Sequence, residues 1–234
     1  MKGSFMKLTI LGSGTSQGIP VIACECAVCR STDTHDKRLR CSAMLEINGQ
    51  NIVIDAGPDF RCQMLRAGVK DLRAILLTHE HKDHIGGLDD VRAFNWVKQG
   101  AVDVYASLRT KNVVYKDYSY AFSENKYPGV PEINLHIVGE ESFYIDDTEF
   151  IPIPVMHYQL PVLGYRTGNF AYLTDANAIP EASMKKLAGV EYLVINALRK
   201  EPHLSHFTLA QALEVTKKLG VKQAWLTHIG HQMG

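Results

Sequence analysis

The sequence predicts one α/β (α+β) domain spanning residues 1–234, and three observations carry that prediction. Short apolar runs of strand character fill both halves of the chain, helical stretches lie between them, and no low-complexity tract or linker divides the halves. At 234 residues with 46% hydrophobic content the chain can bury a full core, and sandwich-type folds of this length are commonly one domain. The side chains able to hold metals fall just past the ends of the apolar runs, where a rigid strand gives way to a loop and functional residues concentrate.

Residues 7–11 read as a first strand that runs into GSGTSQGIP. Its glycines let the backbone expose N–H groups, and Ser13, Thr15 and Ser16 add hydroxyl donors for an anion; a tight strand connection is an equal reading of the loop alone. CECAVC then places Cys24, Cys26 and Cys29 within six residues, one ligand short of a closed zinc site, and His231 in LTHIGH offers the fourth. A redox cluster and three unliganded thiols are the alternatives. Cys41 and Cys62 read as small hydrophobes of the interior. Strands at Ser42–Ile47 and 51–55 join through Asn48-Gly49, the best hairpin signal in the chain. Asp59 and Arg61 precede a helix through position 65, with Arg61 read as a solvated face rather than a phosphate contact.

The chain is organised around AILLTHEHKDHIGGL, residues 74–88, where a short apolar run releases His79, His81, Asp83 and His84 within six residues. In extended backbone, residues two apart share a face, so His79, His81 and Asp83 converge while His84 faces a neighbouring position. That pattern suits two metals side by side. Imidazole and carboxylate are ligands that zinc, manganese or iron accept, and a hydrolytic site keeps one position open for water. Glu80 and Lys82 alternate with these residues and point away, and Gly86 and Gly87 let the next helix start nearby.

From 90 to 127 the pattern is helix, a strand at 102–105 and a second helix whose Tyr115, Tyr118 and Tyr120 read as packing. Residues 135–155 form successive short strands, and GYRTGNFAYLTD adds a hairpin that ends on Asp175. His157 follows FIPIPV and His228 follows AWLT in the same way. In EPHLSHFTLAQALEVTKKLG, Thr208 and Gln211 form a capping-box pattern with His206 two residues upstream. There a phosphate is favourably held, and His206 is placed to bind it and to protonate a leaving alkoxide. His203 is less well placed, and His35 and His136 carry no pattern.

Composition narrows the function. With 25 basic and 25 acidic residues the formal charge is zero, so nothing global attracts nucleic acid or anionic lipid and a small substrate is favoured. The N-terminal MKGSFMKLTILG has too short an apolar run for a signal peptide, and no stretch suits a membrane helix. A cytoplasmic location is the default expectation, and a homodimer is compatible with the chain. Five cysteines, three of them crowded together, do not read as a disulfide framework.

The motif His-x-His-x-Asp-His resembles the signature of the metallo-β-lactamase superfamily. The resemblance implies an αββα sandwich, two mixed β-sheets flanked by helices. It also implies that His79, His81 and His157 hold one metal, that Asp83, His84 and His228 hold the other, and that Asp175 bridges them. Asp55, in IDAGPDF, would orient a metal-binding histidine without itself binding. The loop GSGTSQGIP and the Cys-x-Cys-x-x-Cys cluster with its C-terminal histidine resemble the PhnP-type phosphodiesterases, implying a structural zinc on Cys24, Cys26, Cys29 and His231 beside two divalent catalytic ions, zinc or manganese. The His-x-Thr at His206 is similar to that of superfamily phosphodiesterases, including the ribonuclease Z type. The resemblance therefore implies an enzyme, a metal-dependent phosphodiesterase with Asp83 and His206 as catalytic residues. Its expected substrate is a small cyclic phosphodiester such as 5-phosphoribosyl 1,2-cyclic phosphate, attacked by a hydroxide held between two cations. A ribonuclease Z-like nuclease, a thioester or lactam hydrolase and a non-catalytic PqqB-like carrier are the rival readings.

Overall fold

The computed structural model describes residues 6–233. Residues 1–5, on which part of the leader reading falls, and Gly234 lie outside the described residues. The chain divides into two units, Met1–Gly12 with Cys41–Val138, and Ser13–Arg40 with Gly139–Gly234. Each is built on its own six-stranded sheet.

The first unit begins with β1 (Met6–Gly12). After an excursion through α1 (Ala27–Arg30), which belongs to the second unit, it continues with the hairpin of β2 (Ser42–Ile47) and β3 (Gln50–Ile54). Asn48 and Gly49 both take positive φ in that turn, the conformation an Asn-Gly hairpin selects. Then come α2 (Phe60–Ala67), β4 (Ala74–Leu76), α3 (Lys82–Ile85), α4 (Arg92–Lys98), β5 (Val102–Ala106), α5 (Leu108–Asp117), α6 (Ser119–Phe122) and β6 (Ile133–Ile137). β1 to β3 pair antiparallel and β3 to β6 parallel, in sequence order. Parallel neighbours need crossovers, and the helices between these strands supply them, packing Phe60, Met64, Phe94 and Val114 against Val53, Ile75 and Val104. Helix α2 turns Phe60, Gln63 and Met64 inward. Cys62, two residues past Phe60, is therefore exposed, which corrects the interior reading, and Arg61 lies on the same solvated side within the helix.

The second unit comprises β7 (Phe143–Ile145), β8 (Thr148–His157), β9 (Leu160–Thr167), β10 (Phe170–Leu173), α7 (Glu181–Lys186), β11 (Tyr192–Asn196), α8 (Leu209–Leu219) and β12 (Gln223–Thr227). β7 to β10 pair antiparallel and β10 to β12 parallel. Pro152 and Pro154 are tolerated in β8 because β7 pairs only with Thr148, Glu149 and Phe150 and the next strand-like partner on that side is Ala178 against Met156, which leaves the stretch holding both prolines an edge. Each sheet thus runs as an antiparallel meander that turns parallel, at β3 in one and β10 in the other. Both are mixed sheets with helices packed on them, the fold class the patterning predicts.

The two switch strands share a further feature. Just beyond β3, Asp55 takes φ 64°, and just beyond β10, Asp175 takes φ 58°; His228, next after β12, takes φ 53°. Left-handed backbone on non-glycine residues is uncommon and concentrates where function constrains it. No helix among the described residues is long and apolar enough to cross a membrane.

Candidate metal centre and active site

In the first unit the motif leaves β4 as extended chain only as far as His81. Residues Lys82–Ile85 close a helical turn with His81 as its N-cap, so Asp83 and His84 are helical neighbours and the strand-like alternation proposed for Asp83 does not hold. The turn forms because Ala56 N–H and Gly87 N–H anchor its two ends, donating to His84 O and Ala56 O at 2.8 Å each. This requires close backbone approach: a Cβ on Gly57 would collide with the carbonyl of Asp83, and one on Gly87 with the carbonyl of Gly57.

The donors gather in two pairs. His79 Nε2 lies 2.9 Å from His81 Nδ1, and His84 Nε2 lies 3.2 Å from Asp83 Oδ2. Behind them the fully buried Asp55 accepts from His84 Nδ1 at 2.7 Å, from Thr78 N–H at 2.8 Å and from the Thr78 hydroxyl. The same hydroxyl lies 3.0 Å from His79 Nδ1, and having given its proton to Asp55 it accepts there. Both Nδ1 atoms therefore carry the proton and both Nε2 lone pairs face the donor pairs, the arrangement by which an outer carboxylate fixes a metal-binding imidazole. Burial pushes the Asp55 carboxyl above its ordinary range, against the opposing pull of His84 and Thr78.

Glu80 and Lys82 turn away from these donors to α5, Glu80 pairing with Arg109 and Thr110, and Lys82 with Asp117. The Tyr118 hydroxyl donates to Ile85 O at 2.7 Å. Tyr118 thus braces the motif through a buried hydroxyl, while Tyr115 and Tyr120 are exposed, which corrects the packing reading for those two.

In the second unit His206 is wedged between two other imidazoles. Its ring stacks on His228 with centroids 4.6 Å apart and a 20° interplanar angle, and lies 4.6 Å from His157. His157 Nδ1 donates to Ser205 O at 2.9 Å, which presents Nε2 outward, and Asp175 Oδ1 approaches His228 Nε2 at 3.2 Å. The buried Nδ1 of His206 meets no hydrogen-bond partner among the described residues. Burial, and after it the charge on His228, lowers the His206 pKa to about 3. The imidazole is therefore uncharged near neutral pH. The Thr208–Gln211 capping box forms in full.

The third cluster also lies in the second unit. Cys24, Cys26, Cys29 and His231 bring four donor atoms within 4.8 Å of one another, with His231 Nδ1 at 3.2, 3.5 and 3.5 Å from the three sulfurs. Bond lengths of about 2.3 Å to sulfur and about 2.0 Å to nitrogen give a tetrahedral S···N edge of about 3.5 Å, so the donor set fits zinc. The N–H of Cys29 holds the Cys26 thiol down to about 6; at Cys29 the N–H of Val21 pulls the same way, but burial and the neighbouring thiols together outweigh it and raise that thiol.

The backbone of the GSGTSQGIP loop forms a tight connection, one of the two readings its sequence left open. Gly14 N–H donates to Leu39 O, Thr15 N–H to Ile229 O and Gly18 N–H to Thr15 O, while Ser13 O accepts from Ile229 N–H. These groups strap down the strand end that carries His228 and His231, the tight-connection reading, and leave the hydroxyls of Ser13, Thr15 and Ser16 as the loop's remaining candidates for an anion.

Three participants escaped the sequence reading. Thr78 is the last residue before the histidines, a polar break in an apolar run. Asn196 ends the apolar YLVIN of β11 and holds Ala176, next to Asp175, through both amide atoms at 2.8 and 2.9 Å. Asn177 carries no such signal.

The family model described as a beta-lactamase superfamily domain matches residues 50–229. A Porphyromonas gingivalis protein named octanoyltransferase is 42% identical over 229 residues, 97% of this chain and 46% of that protein; the chain spans about half the length of this relative. A ribonuclease Z of a Mycobacterium species is 25% identical over 218 residues, covering 80% of this chain and 76% of the relative. Among solved structures, a diphosphatase from the PhnP family matches with a TM-score of 0.91 and 44% identity, over 98% of this chain and 88% of that one.

Proposed function

The chain belongs to the metallo-β-lactamase superfamily, and from that premise we propose that it hydrolyses a small phosphodiester or diphosphate with the help of bound divalent metals. His79, His81 and His157 would hold one catalytic ion, Asp83, His84 and His228 a second, and Asp175 both; Cys24, Cys26, Cys29 and His231 would hold a structural zinc. When bound, the catalytic ions supply Lewis acidity, which acidifies a water and offsets negative charge on the phosphoryl oxygens.

The chain's own groups do the rest. Thr78 and Asp55 fix two imidazoles in the tautomer that presents Nε2. The observation that carries the phosphoryl reading is His206, a buried imidazole with an unpartnered Nδ1 wedged between His157 and His228. A phosphate anion against that ring raises its pKa, so His206 gains its proton as substrate binds and delivers it to the leaving oxygen. A thiolate leaving from a thioester needs no such proton, and a lactam brings no phosphate anion to the ring to raise its pKa. The PhnP-family diphosphatase supports the same class, because a diphosphate and a phosphodiester both break a P–O bond to an oxygen that needs protonation. The balanced charge disfavours a ribonuclease Z-like grip on RNA.

A phosphatase-coupled screen of cyclic phosphates, including 5-phosphoribosyl 1,2-cyclic phosphate, with linear diesters and nucleoside diphosphates, tests this. Turnover confined to phosphorus esters, lost in His206→Ala for alkyl but not nitrophenyl leaving groups, is expected. Turnover of thioesters or lactams alone overturns the proposal.

A further inference from the structure

The turn between β8 and β9 holds two residues, Tyr158 and Gln159, between the paired His157 and Leu160. Tyr158 takes φ 56°, at a hairpin position that glycine ordinarily fills. A bulky aromatic residue there is strained, and the surrounding structure must hold it. The holder is Asn177. Its Oδ1 accepts the Tyr158 N–H at 2.8 Å, its Nδ2 donates to Leu204 O at 3.0 Å, and its own N–H donates to Met156 O at 2.8 Å.

One side chain thereby joins three segments: the end of β8 with His157, the stretch after β10 with Asp175 two residues before, and the loop whose Leu204 lies two residues ahead of His206. After His206 the loop is pinned by its backbone, Phe207 N–H donating to Ala176 O at 2.8 Å and Leu198 N–H to Phe207 O at 3.0 Å; ahead of it the ties are Arg199 to the carbonyls of Glu201 and Pro202, His157 to Ser205 O and Asn177 to Leu204 O. A carboxamide suits this post because it accepts and donates at once, which an aspartate or alanine cannot do.

We propose that Asn177 is a positioning residue that keeps Tyr158 in its left-handed turn and sets the His206 loop in register with it, so that His206 meets the leaving oxygen of the substrate. This rests on the reading of His206 as the proton donor. Loss of the amide leaves the donors intact but releases the Leu204 side of the loop, ahead of His206, and a small misplacement of a positioned group costs rate rather than binding.

Two measurements test it. In melting curves of the purified protein, Asn177→Ala should lower Tm by about 2–4 °C, and by less than half as much in a Tyr158→Gly background, since glycine adopts positive φ without the brace. In turnover, Asn177→Ala should lower kcat at least about tenfold on an alkyl cyclic phosphate and less than about threefold on bis(p-nitrophenyl) phosphate, with KM unchanged on both. Asn177→Asp, which keeps the acceptor for Tyr158 and turns an oxygen toward Leu204, should show the kinetic loss with less of the melting loss, and serves if the alanine variant fails to fold. Equal proportional losses on the two esters, or a melting cost unchanged by Tyr158→Gly, overturn the proposal. If the wild type is inert on both esters, the functional reading fails and takes the loop-positioning role with it, while the melting comparison still decides the brace on Tyr158.

Discussion

Asp55→Asn separates what holds the fold from what prepares the metal site. Asparagine is among the side chains that best tolerate the φ of 64° found here, so the backbone stays in place. One oxygen remains to accept from Thr78 N–H. The other is replaced by an NH2 group that faces His84 Nδ1, formerly a 2.7 Å donor to the carboxylate. That group can satisfy His84 only if Nδ1 becomes the acceptor and the proton moves to Nε2, where it points at Asp83 Oδ2 and leaves no lone pair for a metal. Loss of such an outer partner typically weakens metal binding about 10–100-fold, or roughly 1.4–2.7 kcal/mol. The fold should change less. Losing charge-assisted hydrogen bonds costs about 1.5–3 kcal/mol, but the substitution also relieves a fully buried carboxylate of its desolvation, which already pushes its pKa up. The metal-free protein should therefore melt within about 4 °C of wild type, while zinc titration against a chromophoric chelator shows at least the tenfold loss. Wild-type zinc affinity in Asp55→Asn refutes the orienting role. A collapse in the melting of the metal-free protein with unchanged affinity would make Asp55 a purely structural residue.

The other expectations rest on single contacts. Cys26→Ser should release about one zinc per chain and lower Tm, measured by elemental analysis beside a melting curve; unchanged zinc content and Tm would show that the thiols hold no ion. Gly57→Ala should drive a Cβ into the Asp83 carbonyl, lowering Tm by about 2–12 °C for the roughly 1–3 kcal/mol that overpacking costs, and it should also reduce metal content because α3 is displaced. For Asp103, burial raises the carboxyl but His136, Arg73 and Asn134 outweigh it, and the pKa falls below its ordinary 3.8. A depressed carboxylate stabilises above its unfolded value and loses that contribution as pH falls through the folded one. Asp103→Asn should therefore flatten the fall of Tm below about pH 4, and an unaltered pH profile would sink the assignment.

The metal-binding residue types and their order were legible in the sequence because imidazole, carboxylate and thiolate are chemically scarce and here are crowded: six residues hold His79, His81, Asp83 and His84, and another six hold Cys24, Cys26 and Cys29. The strands around them were legible for the same local reason, as apolar runs ended by polar residues, and Asn48-Gly49 forms the turn its backbone preference dictates. The sequence also determined the capping box at Thr208, a contact three residues long. Tertiary structure alone decided how the ligands are carried. Asp83 and His84 lie on a helical turn rather than an extended chain because Ala56 and Gly57, distant in sequence, meet the turn and Gly87 at its end with hydrogen bonds and an approach without Cβ atoms. It alone turned the glycine loop into a strap on the His228 strand end, since which carbonyl an N–H meets depends on chains some two hundred residues apart. The orienting partners belong to the same class: Thr78 and Asn196 stand out only as polar ends of apolar runs and Asn177 not at all, since a common residue type does not name its partner until folding brings it within about 3 Å.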